Sequence, residues 1–163
     1  MHKAEDIITS AAQRLTDFLT ARKMRRTPER YEIMRAACQI PGIFTIDQLD
    51  SQIRLRGAMQ VSRATLFNNL ETLVEAGLLI KHTLARAAHY ELNLTPSPKA
   101  YLVCDRCRKV TPLERKELAE SLAAVRSKSF VVRQPVLYLH GLCRKCYMEQ
   151  IRKTKHTNIQ DNP

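Results

Sequence analysis

The sequence lacks several features that would identify common classes of protein. Its 163 residues include only 4 glycines, and none of them forms the glycine-rich loop that cradles phosphates. No apolar run approaches the ~18 residues that a membrane span needs. The N-terminus is polar and has no apolar stretch typical of a secretory signal, so we expect a cytoplasmic protein in which disulfides are rare. No nucleophile and base residues form a catalytic pattern, which argues against an enzyme.

Positive charge is what the chain has in excess. Its net charge is +11 at pH 7, and this charge is unevenly distributed. Residues 1–92 carry 13 Lys and Arg against 10 Asp and Glu, whereas residues 93–163 carry 14 against 6. A basic chain suits a polyanionic partner, of which nucleic acid is the commonest. The alternative is that the excess charge only keeps the protein soluble.

The first part of the chain, residues 1–92, predicts four helices followed by a hairpin. Apolar residues recur at helical spacing near the N-terminus, and helix boundary signals separate the next three helices. Among these signals are a capping box at Thr45–Gln48, an N-cap at Ser62 and a terminating Gly77. Two short strands follow, joined by a turn around residues 84–87. This order predicts a winged helix-turn-helix.

A proline-containing segment, residues 93–98, predicts an extended hinge. Beyond it, residues 99–153 predict a small α/β domain, so the chain as a whole is expected to be α+β. Within that domain the patterns predict a helix over residues 114–128 and strands over 100–104, 130–132 and 136–140. The polar residues 154–163 predict a disordered tail.

Four of the five cysteines form two C-x2-C pairs, Cys104 with Cys107 and Cys143 with Cys146. Each pair lets two thiolates converge on one ion, and two such pairs complete the tetrahedron of a structural zinc site. Soft thiolates favour Zn2+ over hard cations. The alternatives are two disulfides or free core thiols. The fifth cysteine, Cys38, lies on the apolar side of the second helix, where we expect a core thiol.

In a helix-turn-helix, the second helix enters the major groove by its N-terminal residues. The candidates for base contacts on this helix are Ser62, Arg63, Thr65, Phe67, Asn68 and Asn69. Basic residues that suit DNA phosphates or an adjacent minor groove are Arg22, Lys23, Arg25, Arg26 and Arg30. Arg86, at the predicted wing tip, is another candidate for a phosphate contact. The alternative for each of these residues is an ordinary solvated surface position.

Three blocks of the sequence resemble the ferric uptake regulator family of bacterial repressors. They are the segment 26–30, the segment 61–77 and the two cysteine pairs. The resemblance implies a two-domain fold, a winged helix followed by a dimerisation domain. It also implies a homodimer that binds a palindromic DNA operator. Family members usually sense a metal through a second, regulatory site.

The regulatory ligands of the family are mostly missing from this chain. The family's usual histidine ligands correspond to positions near 43–44, 97–101 and 134–135, and this chain has no histidine at any of them. The family's usual acidic ligand corresponds to a position near Pro112. Only Glu91 remains, with His89 close by on the same predicted strand face. This pair either binds a second metal weakly or consists of hinge residues alone. Haem would need an axial ligand, and the nearest candidates are His82, His89, His140 and Tyr101.

Two functions are consistent with these residues. The leading hypothesis is a transcriptional repressor with structural zinc and a degenerate regulatory site, responding to haem, to redox state or to no signal. The alternative is a thiol-based zinc redox sensor, or a haem-responsive regulator, whose operator specificity is altered or lost. In the sensor, oxidation of the four cysteines would release zinc. The recognition helix also departs from the family, because Phe67-Asn68 stand where Tyr-Arg is usual.

Overall fold

The computed structural model describes residues 2–57, 59–84, 87–94 and 97–160. The chain divides into two compact units, Met1–Thr95 and Pro96–Pro163, called here the N-terminal and C-terminal units. The division falls within the predicted hinge, residues 93–98. Among the described residues, no helix combines the length and the apolar character needed to cross a membrane.

Within the described residues, the N-terminal unit contains four helices and a small antiparallel sheet. In chain order the elements are α1 (His2–Ala21), α2 (Pro28–Cys38), β1 (Ile43–Thr45), α3 (Ile46–Arg56), α4 (Arg63–Glu75), β2 (Leu79–Leu84) and β3 (Ala87–Leu92). The strand order in the sheet is β1-β3-β2, with both pairs antiparallel. Helices α3 and α4 form the helix-turn-helix, and β2 and β3 form the wing.

Local signals in the sequence fix the boundaries of α3 and α4. Thr45 and Gln48 form a reciprocal capping box, in which Gln48 Oε1 accepts from Thr45 N at 2.8 Å and Thr45 Oγ1 accepts from Gln48 N at 3.3 Å. Gly57 ends α3 with φ +65°, a left-handed conformation that glycine adopts without steric cost. Ser62 caps α4 by accepting from Thr65 N at 3.1 Å. The turn between the two helices is therefore defined at both ends.

One apolar core holds the N-terminal unit together. Fully buried side chains from α1, α2, α3 and α4 pack with Phe44 of β1 and Tyr90 of β3. These two rings are register partners, and their centroids lie 6.2 Å apart. Burial of a large apolar side chain contributes about 1.5–3 kcal/mol. The core thus fixes the recognition helix α4 and the wing in one rigid unit.

The C-terminal unit is built on a mixed three-stranded sheet. Its elements are β4 (Lys99–Cys104), β5 (Val110–Pro112), α5 (Lys116–Ala123), β6 (Val136–Gly141) and α6 (Arg144–Gln160). The strand order is β5-β4-β6, with β5 antiparallel and β6 parallel to β4. Parallel strands need a crossover connection, and the segment that contains α5 provides it.

The structure corrects the sequence-based expectation in three places within this unit. The helix predicted over residues 114–128 spans only Lys116–Ala123, since Val125 and the serines after it favour helix poorly. No strand forms over 130–132, where Phe130 and Val131 are exposed. Helix α6 continues to Gln160, although a disordered tail was expected from residue 154. A nucleated helix extends readily through residues without Gly or Pro.

Candidate metal centre and nucleic-acid interface

Strand pairing brings the two cysteine pairs together. The parallel register of β4 and β6 aligns Cys104 with Gly141, so both strands end at the same edge of the sheet. Asp105 N donates to Gly141 O at 2.8 Å, which ties the two strand ends to each other. The first pair begins at the last residue of β4, and the second begins two residues after β6. The predicted constellation of Cys104, Cys107, Cys143 and Cys146 is therefore assembled by backbone topology.

The four sulfur atoms fit a tetrahedral zinc ion. All four lie within 4.8 Å of one another, and the Sγ atoms of Cys107 and Cys143 are 3.7 Å apart. A Zn–S distance of roughly 2.3 Å in a tetrahedron requires sulfur atoms roughly 3.8 Å apart. Among the described residues, no other group of three or more His, Cys, Asp and Glu ligands converges in this way.

Backbone amides prepare one of the cysteines to bind metal as a thiolate. Backbone hydrogen bonds from Cys107 and then Cys143 lower the pKa of Cys104 to about 6. Of these, Cys143 N donates to Cys104 Sγ at 3.3 Å. Burial raises the pKa of Cys146 to about 12 because desolvation penalises its thiolate, and hydrogen bonds with the other cysteines and the charge of Cys104 add to the rise. A divalent cation would remove this penalty, so the donor set is suited to one.

Polar contacts brace the loops that carry the cysteines. Arg106 donates to Cys146 O at 3.2 Å and pairs with Glu149 of α6 at 3.2 Å. His140 of β6 pairs with Asp105 at 3.0 Å. Arg108 follows the first pair with φ +61°, a conformation that non-glycine residues rarely adopt. These contacts hold the first loop against α6 and β6.

The exposed face of α4 presents most of the residues expected to contact bases. Ser62, Arg63, Phe67 and Asn68 are exposed, and Thr65 is half-buried with its hydroxyl 2.8 Å from that of Ser62. The expectation for Asn69 is wrong, since its side chain is buried and its Nδ2 donates to Thr65 O at 2.8 Å. Asn69 follows Asn68 by one position, and this step of 100° turns its side chain into the core.

The basic cluster, formed by Arg22, Lys23, Arg25, Arg26 and Arg30, contains both exposed and half-buried side chains. Four exposed side chains stand between α1 and α2, at Arg22, Lys23, Arg25 and Arg26. Arg30 of α2 is instead half-buried, and its Nη1 donates to Thr72 Oγ1 of α4 at 2.9 Å. Arg30 therefore joins α2 to the recognition helix. Arg86 lies outside the described residues.

His89 and Glu91 lie on one face of the wing sheet. His82 lies on the same face, although the sequence pattern did not indicate it as a candidate ligand of the regulatory metal site. His82 of β2 is the register partner of His89, and its side chain is fully buried. His82 Nε2 lies 3.1 Å from Glu91 Oε2. Glu91 thus has a histidine from the neighbouring strand as its partner. Antiparallel pairing was the signal that could have revealed it, because paired residues point to the same face.

The other haem candidates lie in dissimilar surroundings. Tyr101 is buried and stacks on Tyr138 with ring centroids 5.8 Å apart. His140 is exposed beside the cysteine loops. Their positions do not support a shared haem pocket.

Comparison with known proteins decides the family. The sequence model of the ferric uptake regulator family matches residues 21–140, which is more than half of the chain. The chain belongs to the ferric uptake regulator family. The fold class expected from the sequence, a winged helix followed by a small α/β unit with a four-cysteine site, is also confirmed. Family members are transcriptional regulators that bind DNA and metal, so the chain is not an enzyme.

Individual members of the family are similar along most of their length. The ferric uptake regulation protein of Synechococcus elongatus is 27% identical over 143 residues, which cover 85% of this chain and 97% of the relative. The zinc uptake regulation protein of Escherichia coli is 30% identical over 135 residues, covering 77% and 74%. These regulators indicate a metal-responsive DNA-binding repressor.

Two solved structures share the fold. The ferric uptake regulator of Helicobacter pylori, described as having three functional metal binding sites, superposes with a TM-score of 0.65 at 14% identity, covering 86% of this chain and 93% of that one. A zinc uptake regulator complexed with zinc and DNA gives a TM-score of 0.52 at 24% identity, covering 91% and 97%. At these identities the likeness concerns the fold alone.

Proposed function

We propose that this family member is a homodimeric repressor that binds a palindromic DNA operator and contains a structural zinc ion. The observation that carries the proposal is the combination of an exposed, polar recognition helix in one unit with a closed four-thiolate cluster in the other. The zinc uptake regulator structure with zinc and DNA supports both parts by analogy of fold. The N-terminal residues of α4 would enter the major groove, and the exposed basic cluster would contact phosphates.

A structural role for zinc follows from the composition of the C-terminal unit. Among the residues whose burial the structure describes, only five of the 23 buried apolar ones belong to it, and two of those are Cys104 and Cys146. Helix α5 buries no residue within the single chain. Four protein thiolates leave no coordination position for a substrate, and such sites contribute folding free energy directly. The zinc would therefore replace part of a core that the unit lacks.

Dimerisation is supported by the apolar residues that remain exposed. Among the described residues, eight of the ten exposed large hydrophobic side chains belong to the C-terminal unit. They are Leu102, Val125, Phe130, Val131, Leu139, Leu142, Tyr147 and Met148. Concentrated exposed apolar surface marks an interaction site. A second copy of the same unit would cover it, in keeping with the dimer that the family implies.

The regulatory metal site is proposed to be degenerate. His89 and Glu91 remain the candidate ligands for a second metal, but Glu91 already has His82 as a close partner. A metal would have to compete with this buried contact. We therefore propose that any second metal at the wing binds weakly, and that structural zinc does not serve as the sensor.

The proposal is tested by DNA selection combined with metal analysis. Purified protein is expected to contain one tightly held zinc per chain, to sediment as a dimer and to enrich a palindromic sequence from a random pool. Specific binding should exceed binding to random DNA by at least about a thousandfold at physiological salt. A zinc-free monomer, or a protein that enriches no sequence, would contradict it.

One observation favours the thiol-sensor alternative. Cys107 is exposed, and its sulfur lies 3.7 Å from that of Cys143, so a peroxide could reach it and oxidation could join the two. Zinc release under mild peroxide, coupled to loss of operator binding, would support a sensor. Retention of zinc and of the dimer under the same treatment would exclude it.

A further inference from the structure

The start of helix α4 holds an arrangement that DNA binding in general does not require. Arg63 is the first residue of α4 and the only basic residue in that helix. Its Nη1 lies 2.7 Å from Oδ1 of Asp47 in the first turn of α3. Its Cζ lies 5.9 Å from the ring centroid of Phe67, one turn further along α4. The guanidinium is thus held from two sides, although both members of the ion pair are exposed, by 64% and 70%.

The position of Arg63 is unfavourable for the helix itself. A helix N-terminus carries partial positive charge, so an acid is favoured in the first turn and a cation is not. Helices α2, α3 and α5 each have an acid in the first turn, whereas α4 and α6 have none. Asp47 supplies from α3 the negative charge that α4 lacks. Residues that break a local rule in this way are typical of functional positions.

We propose that Arg63 reads guanine in the major groove and that Asp47 is a positioning residue which sharpens this choice. The inference rests on the proposed DNA-binding function and names the residues that set its specificity. The N-terminal residues of the second helix are those that meet base edges, and Arg63 stands first among them. The guanidinium fork matches the N7 and O6 acceptors of guanine with two parallel hydrogen bonds.

Asp47 influences whether the Arg63 guanidinium binds phosphate or guanine more favourably. An unpaired guanidinium would bind any phosphate, and phosphate contacts carry no sequence information. The carboxylate beside it offsets part of the charge of the guanidinium, so a single phosphate attracts it less strongly than it would attract an unpaired one. Guanine offers two acceptors in one plane, whereas adenine presents a donor where guanine has O6. Asp47 is therefore expected to lower affinity for DNA in general and to raise the preference for guanine.

The test uses the full-length, zinc-loaded protein and a site selected from a random duplex pool. Affinities are then measured by fluorescence anisotropy for every single-base variant of that site. The wild type is expected to prefer guanine at one position of each half-site by roughly 5- to 150-fold, the discrimination of one bidentate contact. Arg63→Ala should abolish this preference and leave the other positions unchanged. Arg63→Lys keeps the charge but loses the rigid fork, so it should retain a smaller guanine preference than the wild type.

The Asp47→Asn variant tests the positioning role separately. It should bind random DNA more tightly than the wild type and show a smaller guanine preference at the same position. The matched control is the arginine–aspartate pair within α3, Arg54 with Asp50 at 2.9 Å, in which Arg54 is exposed and Asp50 is half-buried. Arg54→Ala and Asp50→Asn should leave all base preferences as they are. The melting temperature of each variant checks that the fold is retained.

The outcomes separate this inference from the proposed function. If the wild type enriches no sequence, DNA-specific repression itself fails. If a site is enriched and Arg63→Ala weakens all its variants equally, Arg63 contacts phosphate and the inference is overturned. If Asp47→Asn retains the full wild-type preference, Asp47 has no positioning role.

Discussion

At the scale of single residues, an ion pair between α2 and α3 stands out by its burial. Glu32 is buried in α2, and its Oε1 accepts from Arg56 Nε at the end of α3. Arg56→Ala would leave a buried carboxylate without its main partner, which costs about 1–3 kcal/mol. We expect a fall of several degrees in the melting temperature of the N-terminal unit, measured by circular dichroism.

The control for this change lies two residues earlier in the same helix. Arg54 pairs with Asp50, but the Arg54 side chain is 74% exposed. Exposed pairs contribute about 0–1 kcal/mol, so Arg54→Ala should alter the melting temperature much less. Equal effects of the two substitutions would mean that burial of Glu32 does not determine the cost.

Cys38 should react slowly with alkylating agents at neutral pH. Burial raises its pKa from 9.0 to about 11, and its Sγ donates to Met34 Sδ at 3.7 Å. Since only the thiolate reacts, the raised pKa lowers the reactive fraction at pH 8 about a hundredfold. Iodoacetamide labelling followed by mass spectrometry should leave Cys38 unmodified in the folded protein and label it rapidly in urea. Fast labelling of the folded protein would contradict this.

Residue-level expectations succeeded where a local pattern suffices and failed where tertiary contacts decide. The two C-x2-C pairs were recognisable because their spacing alone encodes convergent thiolates. The partner of Glu91 was not, because His82 reaches it from another strand. Arg30 likewise resembled its exposed basic neighbours in sequence, and only the packing of α2 on α4 directs it to Thr72.

At the scale of elements, the cap of the recognition helix can be tested directly. Ser62 Oγ accepts from Thr65 N at 3.1 Å, and loss of such a cap costs about 1 kcal/mol. Ser62→Ala is expected to lower the melting temperature and to weaken operator binding, because the first turn of α4 frays. Thermal denaturation and anisotropy titration measure the two effects.

A second serine provides the matched control. Ser51 lies inside α3, and its Oγ donates to Asp47 O within the same helix. Alanine is the better helix former at such an interior position. Ser51→Ala should therefore leave stability unchanged or raise it slightly. A loss similar to that of Ser62→Ala would show that capping is not the cause.

The elements of the C-terminal unit were harder to predict than those of the N-terminal unit. Caps and a terminating glycine bounded α3 and α4 in the sequence. Helix α5 has no side-chain cap at Arg115, so nothing local marked its short span. The apolar run at 130–132 resembles a strand, but a strand needs a neighbour with which to pair, and the three strands of this sheet are elsewhere in the chain. Strands β1 and β5, of three residues each, are too short to leave a periodic signal.

At the scale of the whole molecule, the two units should differ in their dependence on zinc. The N-terminal unit has a continuous apolar core, whereas the C-terminal unit buries few apolar side chains. Cys104→Ser should release zinc and abolish the stable dimer. Hydrogen exchange should then show lost protection in Pro96–Pro163 and retained protection in Met1–Thr95.

The remaining cysteine offers the control for that experiment. Cys38→Ser makes the same chemical change in the N-terminal unit, at the one cysteine that is not part of the four-thiolate cluster. It should leave the zinc content and the dimer intact, with at most a modest loss of stability. A Cys104→Ser protein that remains a zinc-loaded dimer would contradict the structural role of the metal.

The parallel pairing of β4 with β6 also has a consequence for the order of folding. Cys104 and Cys143 are 39 positions apart, so their meeting closes a long loop, and loop closure slows folding. Each C-x2-C turn, by contrast, is local and able to capture a zinc ion in an unfolded chain. Once one C-x2-C turn holds the zinc ion, the second turn binds the same ion in an intramolecular step. Refolding with zinc present from the start should consequently be faster than refolding in which zinc is added last.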